Sequence, residues 1–303
     1  MSVRSIQTDD ILIDESRFNL KKALFGIEES DSSLTRSLEE FGILSPVTVF
    51  RDRSGGLHLI DGYRRVRFAI DSGLSAVEAV VLPDPTVVEE IISMVLYDKR
   101  SIITESVMNK ICFVTFAVSL EAREEWILKD LCKALALKPH RSMLEECERM
   151  SALQQELKSF CHEKKFSLKQ ILNLSHHPGD LLMQLMSWRQ VLSLTASVLD
   201  EIASNLKDYL RSNDIDIKVF VSDAEVEAVI DSDLSPRDRT DRLRKLISAR
   251  RYPVLSEVNK RIERAVRRMG LPGGVVVSWD RTLENKGVNI DINIKGPDEW
   301  DSV

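Results

Sequence analysis

The residues best suited to chemistry in this chain are Asp61-Gly62-Tyr63-Arg64-Arg65. They follow the apolar run Leu57-His58-Leu59-Ile60 and open a stretch, Val66–Ser72, with helical spacing. Glycine has no Cβ, so backbone can approach a ligand closely there. The first turn of a helix leaves N–H groups unpaired and carries a partial positive charge. Two arginines add planar, permanently charged forks that match phosphate oxygens. Strand, glycine, arginine pair and helix therefore predict a phosphate or anion cradle. A glycine at a strand-to-helix turn beside surface arginines is equally an ordinary structural feature, and the residue types leave both readings open. Asp61 and, upstream, Glu39 or Glu40 are the acids that could exchange a proton if the cradle is catalytic.

A small mixed α/β unit must position this turn. Ile6 and Ile11–Ile13 read as extended, and Ser33–Phe41 as a short amphipathic helix ended by Gly42. Val47–Phe50 and Leu57–Ile60 read as strands around Ser54-Gly55-Gly56. Gly73 stops the next helix, and Ala76–Leu82 reads as a strand closed by Pro83 and Pro85.

The ordered set Ser45-Pro46-Val47-Thr48-Val49-Phe50, Ser54-Gly55-Gly56, Gly62-Tyr63-Arg64-Arg65 and Asp71-Ser72-Gly73-Leu74 resembles the N-terminal domain of the ParB/sulfiredoxin superfamily. Ser37–Leu44 resembles the helix and turn that precede it in ParB proteins. The resemblance implies a nucleotide site, with Gly62, Tyr63, Arg64 and Arg65 at the triphosphate of CTP. Sulfiredoxins carry a catalytic cysteine after the glycine and ParB proteins usually a glutamate; here that residue is Tyr63, so the sulfiredoxin thiolate chemistry is missing. A second ParB motif, E-N-x-x-R, falls at Leu96–Arg100, where only Arg100 matches. Mg2+ and hydrolysis, which the resemblance would bring, lack the expected glutamate and asparagine; Glu89, Glu90 and Asp98 are the substitute acids. The implied triphosphatase activity is weak or absent.

From Thr86 to about Leu210 strand signals nearly vanish, and apolar residues recur at three- and four-residue spacing. Expected helices cover 86–99, 103–119, 121–136, 141–150, 151–162, 167–173 and 180–211, the last open to division in two. Around the turn Lys138–Ser142, two of these form a helix-turn-helix arrangement, whose second helix enters the major groove in DNA-binding proteins. It sits where ParB proteins carry theirs. His140, Arg141, Ser142 and Arg149 are the candidate readers; Glu145, Glu146 and Glu148 on the same helix oppose phosphate. Any short helical hairpin gives this pattern, so DNA reading and plain packing both remain open.

In the last third, Ile215–Val221 reads as a short strand or extended connection and Ser222–Ile230 as a helix. Ser235-Pro236 caps an arginine-rich helix reaching about Arg251. Pro253 opens another, with Val254, Val258, Ile262 and Val266 in one stripe. Gly274–Trp279 and Val288–Ile294 read as a hairpin. Between Pro236 and Arg268 there are twelve Lys and Arg against four Asp and Glu, a local balance of +8. Arg244, Lys245, Arg250 and Arg251 are candidate DNA contacts from this stretch, because few acids within it are available to pair. The opposing reading is a solvated helix face paired with acids. A helix followed by a hairpin resembles the ParB dimerisation module, which implies a homodimer.

The fold class is thus α+β: a small mixed α/β ParB/sulfiredoxin-like domain over 1–85, an all-helical domain with a helix-turn-helix over 86–211, and basic helices with a β-hairpin over 212–303. The 303 residues are 43% hydrophobic and 30% charged, as in globular proteins, with net charge −6. That balance argues against an indiscriminate nucleic-acid binder but leaves local basic fields free to act. No apolar run reaches membrane-span length and no secretion signal opens the chain, so the cytoplasm, at the nucleoid, is the expected location. Cys112, Cys132, Cys147 and Cys161 lack metal-binding spacing and read as buried small hydrophobes. The partners implied are DNA, a second copy and a partition ATPase, in plasmid or chromosome partition or regulation of a mobile element. The competing classes are a superfamily enzyme, nuclease or small-molecule kinase, and an adaptor that keeps the fold without nucleotide turnover.

Overall fold

The computed structural model describes residues 3–14, 16–27, 32–82, 86–272 and 274–293. Pro83, Pro85 and Ile294, to which strand ends were assigned, lie outside them. The chain forms two compact units, residues 1–176 and 177–303.

The first unit begins with a five-stranded sheet. Strands β1 (Val3–Gln7) and β2 (Ile11–Leu12) precede helix α1 (Ser32–Phe41). Then come β3 (Val47–Arg51), β4 (Leu57–Asp61), helix α2 (Tyr63–Asp71) and β5 (Ala76–Leu82). The spatial order is β1-β5-β3-β4-β2. β3 pairs antiparallel with β4 and parallel with β5, and β2 joins β4 in parallel. Side chains alternate across a strand. Val47 and Val49 of β3 and Leu57 and Leu59 of β4 accordingly fall on the core face, with Val66 and Ala69 of α2 over them. The β3–β4 turn is closed by Asp52, whose carboxylate accepts from the backbone of Ser54 and Gly56, at 2.9 and 2.8 Å.

Helices follow: α3 (Val88–Asp98), α4 (Arg100–Thr104) and α5 (Val107–Ser119). The expected 103–119 helix is therefore divided, because Ser106 caps α5 by accepting from the Asn109 amide. In α5, Met108, Ile111, Phe113, Val114 and Ala117 are fully buried. A helix apolar nearly all round is a core helix. The next helical run comprises α6 (Glu124–Trp126), a π-helical turn (Ile127–Leu131) and α7 (Cys132–Ala134). Helices α8 (Met143–Ser151), α9 (Gln155–Glu163) and α10 (Leu168–Leu174) pack around α5. All four cysteines are buried and unpaired. Burial pushes the Cys161 thiol up to about 12.

The second unit contains α11 (Gly179–Ser187), α12 (Ala196–Asn213), α13 (Ile217–Val221), α14 (Ala224–Ile230), α15 (Pro236–Arg251) and α16 (Pro253–Arg268). An antiparallel hairpin, β6 (Val275–Trp279) with β7 (Val288–Ile292), completes it. The stretch Ile215–Val221, expected as a short strand or extended connection, instead carries the helix α13. Asp216 caps it by accepting from Lys218 N, and Ile217 and Phe220 are buried three residues apart, the spacing of a helix face. Ser235 caps α15 with Pro236 in its first turn. No residue of α16 is buried.

The architecture is mixed α/β, then helical, then helices with a hairpin. Among the described residues, no helix is long and apolar enough to cross a membrane.

Candidate functional site

β4 runs through Asp61 into Gly62, the N-cap of α2, at φ +107°. A Cβ there would lie 2.6 Å from Val47 Cγ1 and 2.9 Å from Val47 Cβ. Both the backbone conformation and the space thus demand glycine.

The two arginines that follow diverge in role. Arg65 reaches back under the turn: Nη1 donates to the carbonyls of Ser45 (3.0 Å) and Pro46 (2.6 Å), and Nη2 to Asp61 Oδ2 (2.6 Å). It is a staple between α2, β4 and the entry to β3. Arg64 lines a cleft of about 1210 Å³ together with Lys21, Asp61, Gly62, Tyr63 and Lys99. Arg65 also borders this cleft.

Lys99, to which sequence reasoning gave no role, donates to Asp61 Oδ1 at 3.2 Å and forms an ion pair with Asp98 at 2.6 Å. Partial burial disfavours its charge, but the Asp98 and Asp61 carboxylates outweigh that and hold Lys99 above the ordinary lysine value. Its neighbour Arg100 lies outside the cleft and donates to the Ala134 carbonyl at 3.3 Å, at the end of α7. Lys99 lies between α3 and α4 with φ −103° and ψ 20°, outside helical geometry, and Arg100 is the first residue of α4.

Tyr63 is fixed at the cleft margin. Its hydroxyl donates to Asp14 Oδ1 at 3.1 Å, and Arg67 Nη2 donates to the other Asp14 oxygen at 2.8 Å. Lys21 Nζ sits 4.5 Å above its ring, a cation–π distance. The segment carrying Lys21 is pinned at both ends. Ser16 Oγ donates to Leu59 O at 2.6 Å. The fully buried Asn109 of α5 accepts from Phe25 N and donates to Phe25 O, both at 2.9 Å. Phe25 stacks on His162, whose Nδ1 is 2.8 Å from Ser106 Oγ. Burial lowers the His162 pKa and favours the neutral ring. An asparagine inside an otherwise apolar helix was the available signal for Asn109.

The remaining acids have other duties. Glu89 is buried and accepts from Arg123 Nε at 2.8 Å. Glu39, Glu40 and Glu90 are exposed. Among the described residues, no group of three or more His, Cys, Asp or Glu could hold a metal ion.

The residues Lys138–Ser142 lie in the connection between α7 and α8. Met143, Cys147 and Met150 bury one face of α8. His140 Nε2 lies 2.9 Å from Glu146 Oε2, and Ser142 Oγ donates to Glu146 Oε1 at 2.6 Å. Arg149 Nη1 is 3.3 Å from His176 Nδ1. Arg141 is exposed.

Few acids within 236–268 pair with the candidate DNA contacts of α15, but acids elsewhere in the second unit do. Arg244 donates to both oxygens of Glu201, at 3.0 and 2.7 Å, and to Asp241. Arg250 pairs with Asp223 (2.6 Å) and Glu225 (2.8 Å), and Arg251 with Asn205 and Asp208. Those partners, Asp241 apart, stand on or beside α12 and α14, so a charge count confined to α15 and α16 misses them. Lys245, Arg237 and Arg242 are exposed.

No family model matches the chain, and no curated protein matches it. Similar folds occur among solved structures. The C-terminally truncated chromosome-partitioning protein ParB from Caulobacter crescentus, complexed with CTP-gamma-S, shares 16% identity over 62% of this chain and 99% of its own, with a TM-score of 0.27. The same truncated protein complexed to the centromeric parS site shares 16% identity over 66% of this chain and 98% of its own, at 0.32. A Pnob8-like ParB-N domain shares 15% identity over 82% of this chain and 98% of its own, at 0.35. The chain is similar to ParB proteins. Overlap this slight carries no functional weight, and the roles of Arg65, Lys99 and Asp61 rest on their own contacts.

Proposed function

We propose that this chain is a ParB-like DNA-binding protein whose N-terminal cleft takes a nucleoside triphosphate, CTP by the sequence resemblance. The observation that carries the reading is the convergence of Lys21, Arg64 and Lys99 on a cleft at the left-handed Gly62, which opens α2. Cationic side chains and the unpaired N–H groups of a helix start suit a polyphosphate. The cleft is also tied to the helical part: Lys99 links it to the α3–α4 junction and Asn109 links its Phe25 segment to α5, which packs on α8. Occupancy that moves these ties would shift the α8 turn, where Arg141, His140, Ser142 and Arg149 would meet DNA. Exposed Lys245 would add a phosphate contact, while Arg244, Arg250 and Arg251 serve chiefly to brace α15.

In this reading two copies associate through the C-terminal module. On β7, Val288, Ile290 and Ile292 are each more than half exposed and share one face. The biological setting is plasmid or chromosome partition with an ATPase partner, or control of a mobile element, at the nucleoid. An enzymatic role for Asp61 is disfavoured because Arg65 and Lys99 engage its two oxygens.

Fluorescence anisotropy of labelled duplex DNA, at low and high salt and with and without CTP, tests the proposal. Binding should weaken with salt and change with CTP in the wild type but not in Arg64→Ala. Failure to bind DNA at low salt would sink it.

A further inference from the structure

ParB-type nucleotide sites are expected, from the resemblance, to hold the triphosphate with Mg2+. The donor set of this cleft does not fit that ion. Mg2+ prefers near-octahedral oxygen coordination, and at phosphate sites it is held by one or two carboxylates besides phosphate and water. Among the described residues, the carboxylates bordering this cleft are Asp61 and Asp71. Asp61 Oδ2 accepts from Arg65 Nη2 at 2.6 Å and Oδ1 from Lys99 Nζ at 3.2 Å. Arg65 cannot turn away cheaply, since its Nη1 also holds the Ser45 and Pro46 carbonyls. A divalent ion at Asp61 would therefore stand against two fixed positive charges. Asp71 is the last residue of α2, eight positions beyond Tyr63. At 1.5 Å per residue that is about 12 Å along the axis from the phosphate-facing helix start.

The residues at the cradle supply the opposite of a metal site. An ammonium has three N–H donors, and Asp61 and Asp98 use two of those of Lys99. Lys21 borders the same cleft, and the Tyr63 hydroxyl is already committed to Asp14. We infer that the cleft takes a nucleoside triphosphate as the metal-free polyanion, with Lys99 and Lys21 neutralising phosphate charge where a divalent cation would otherwise do so. This rests on the proposed nucleotide reading of the cleft. It makes the site a sensor of nucleotide occupancy that does not require Mg2+ and holds no metal to assist hydrolysis.

Titration calorimetry of the full chain with CTP, once in Mg2+ and once in EDTA, tests the inference. The wild type should bind with Kd values within about twofold of each other in the two buffers, and Lys99→Ala should weaken both by about tenfold or more, roughly 1.4 kcal/mol. Lys99→Glu, which sets a carboxylate beside Asp61, should lose binding in EDTA and regain part of it in Mg2+. Loss of structure cannot produce that metal-dependent recovery. Wild-type binding that needs Mg2+ would overturn the inference and leave the nucleotide reading standing. No CTP binding in either buffer would overturn both.

Discussion

Arg65 Nη2 lies 2.6 Å from Asp61 Oδ2, one helical turn back across the left-handed Gly62. With its contacts to Ser45 and Pro46, this guanidinium closes the turn from beneath. The two arginines of the Gly62–Arg65 motif therefore separate into a brace, Arg65, and a cleft-lining cation, Arg64. Replacing Arg65 by alanine should cost about 1–3 kcal/mol, because it strips donors from two carbonyls and a carboxylate at once. Arg65→Lys should recover only part of this, since an ammonium lacks the fork. Urea unfolding followed by circular dichroism reads both.

Gly62→Ala should be among the most damaging single changes in the first unit. It combines a positive φ with a Cβ placed 2.6 Å from Val47 Cγ1, and Val47 is fully buried. A loss of about 2 kcal/mol or more is expected from strain and overpacking together. Val47→Ala should be destabilising alone yet less so beside Gly62→Ala, and a double-mutant cycle in urea measures that coupling.

His140 gives a pH-dependent signal at the proposed DNA turn. Its hydrogen bond to Glu146, assisted by the Lys138 carbonyl, raises its pKa above the ordinary histidine value. The stabilisation from this pair is therefore fully present below the unfolded histidine pKa and fades as pH rises through the higher folded value. NMR titration of the His140 ring should show the elevated midpoint, and Glu146→Gln should bring it back down. An unchanged midpoint in that variant would remove Glu146 as the cause.

Arginines of α15 should divide by partner. Arg244→Ala removes a two-oxygen contact with Glu201 and should lower the thermal midpoint. Arg242 is exposed, so Arg242→Ala should leave the midpoint nearly unchanged. If α15 meets DNA, Arg242→Ala should also reduce the salt dependence of binding by about one unit of slope. Anisotropy across a salt series, beside a thermal melt, separates the two effects.

Much of the local structure was legible in the residues. Gly62 ended a strand and opened a helix, Ser235-Pro236 opened α15, and Gly42 and Gly73 ended α1 and α2, as cap and turn chemistry requires. Ile215–Val221 misled because its branched residues resemble a strand, while Asp216 and the burial of Ile217 and Phe220 make it helical. The 180–211 stretch, which the sequence left open to division in two, does divide into α11 and α12, where Thr195 supplies a cap by accepting from Val198 N.

What the sequence by itself determined were the elements, the glycine turn and the excess of positive charge near the C-terminus, because caps, periodicity and backbone sterics act over a few neighbouring residues. Only the tertiary structure decided which charges are free to meet a ligand. Arg65 is consumed by carbonyls twenty residues upstream, Arg244 by Glu201 forty-three residues upstream, and Lys99 joins Asp61 across thirty-eight. Ion pairs form between side chains that packing brings within a few ångströms, whatever their distance along the chain. No local pattern in the sequence records that proximity.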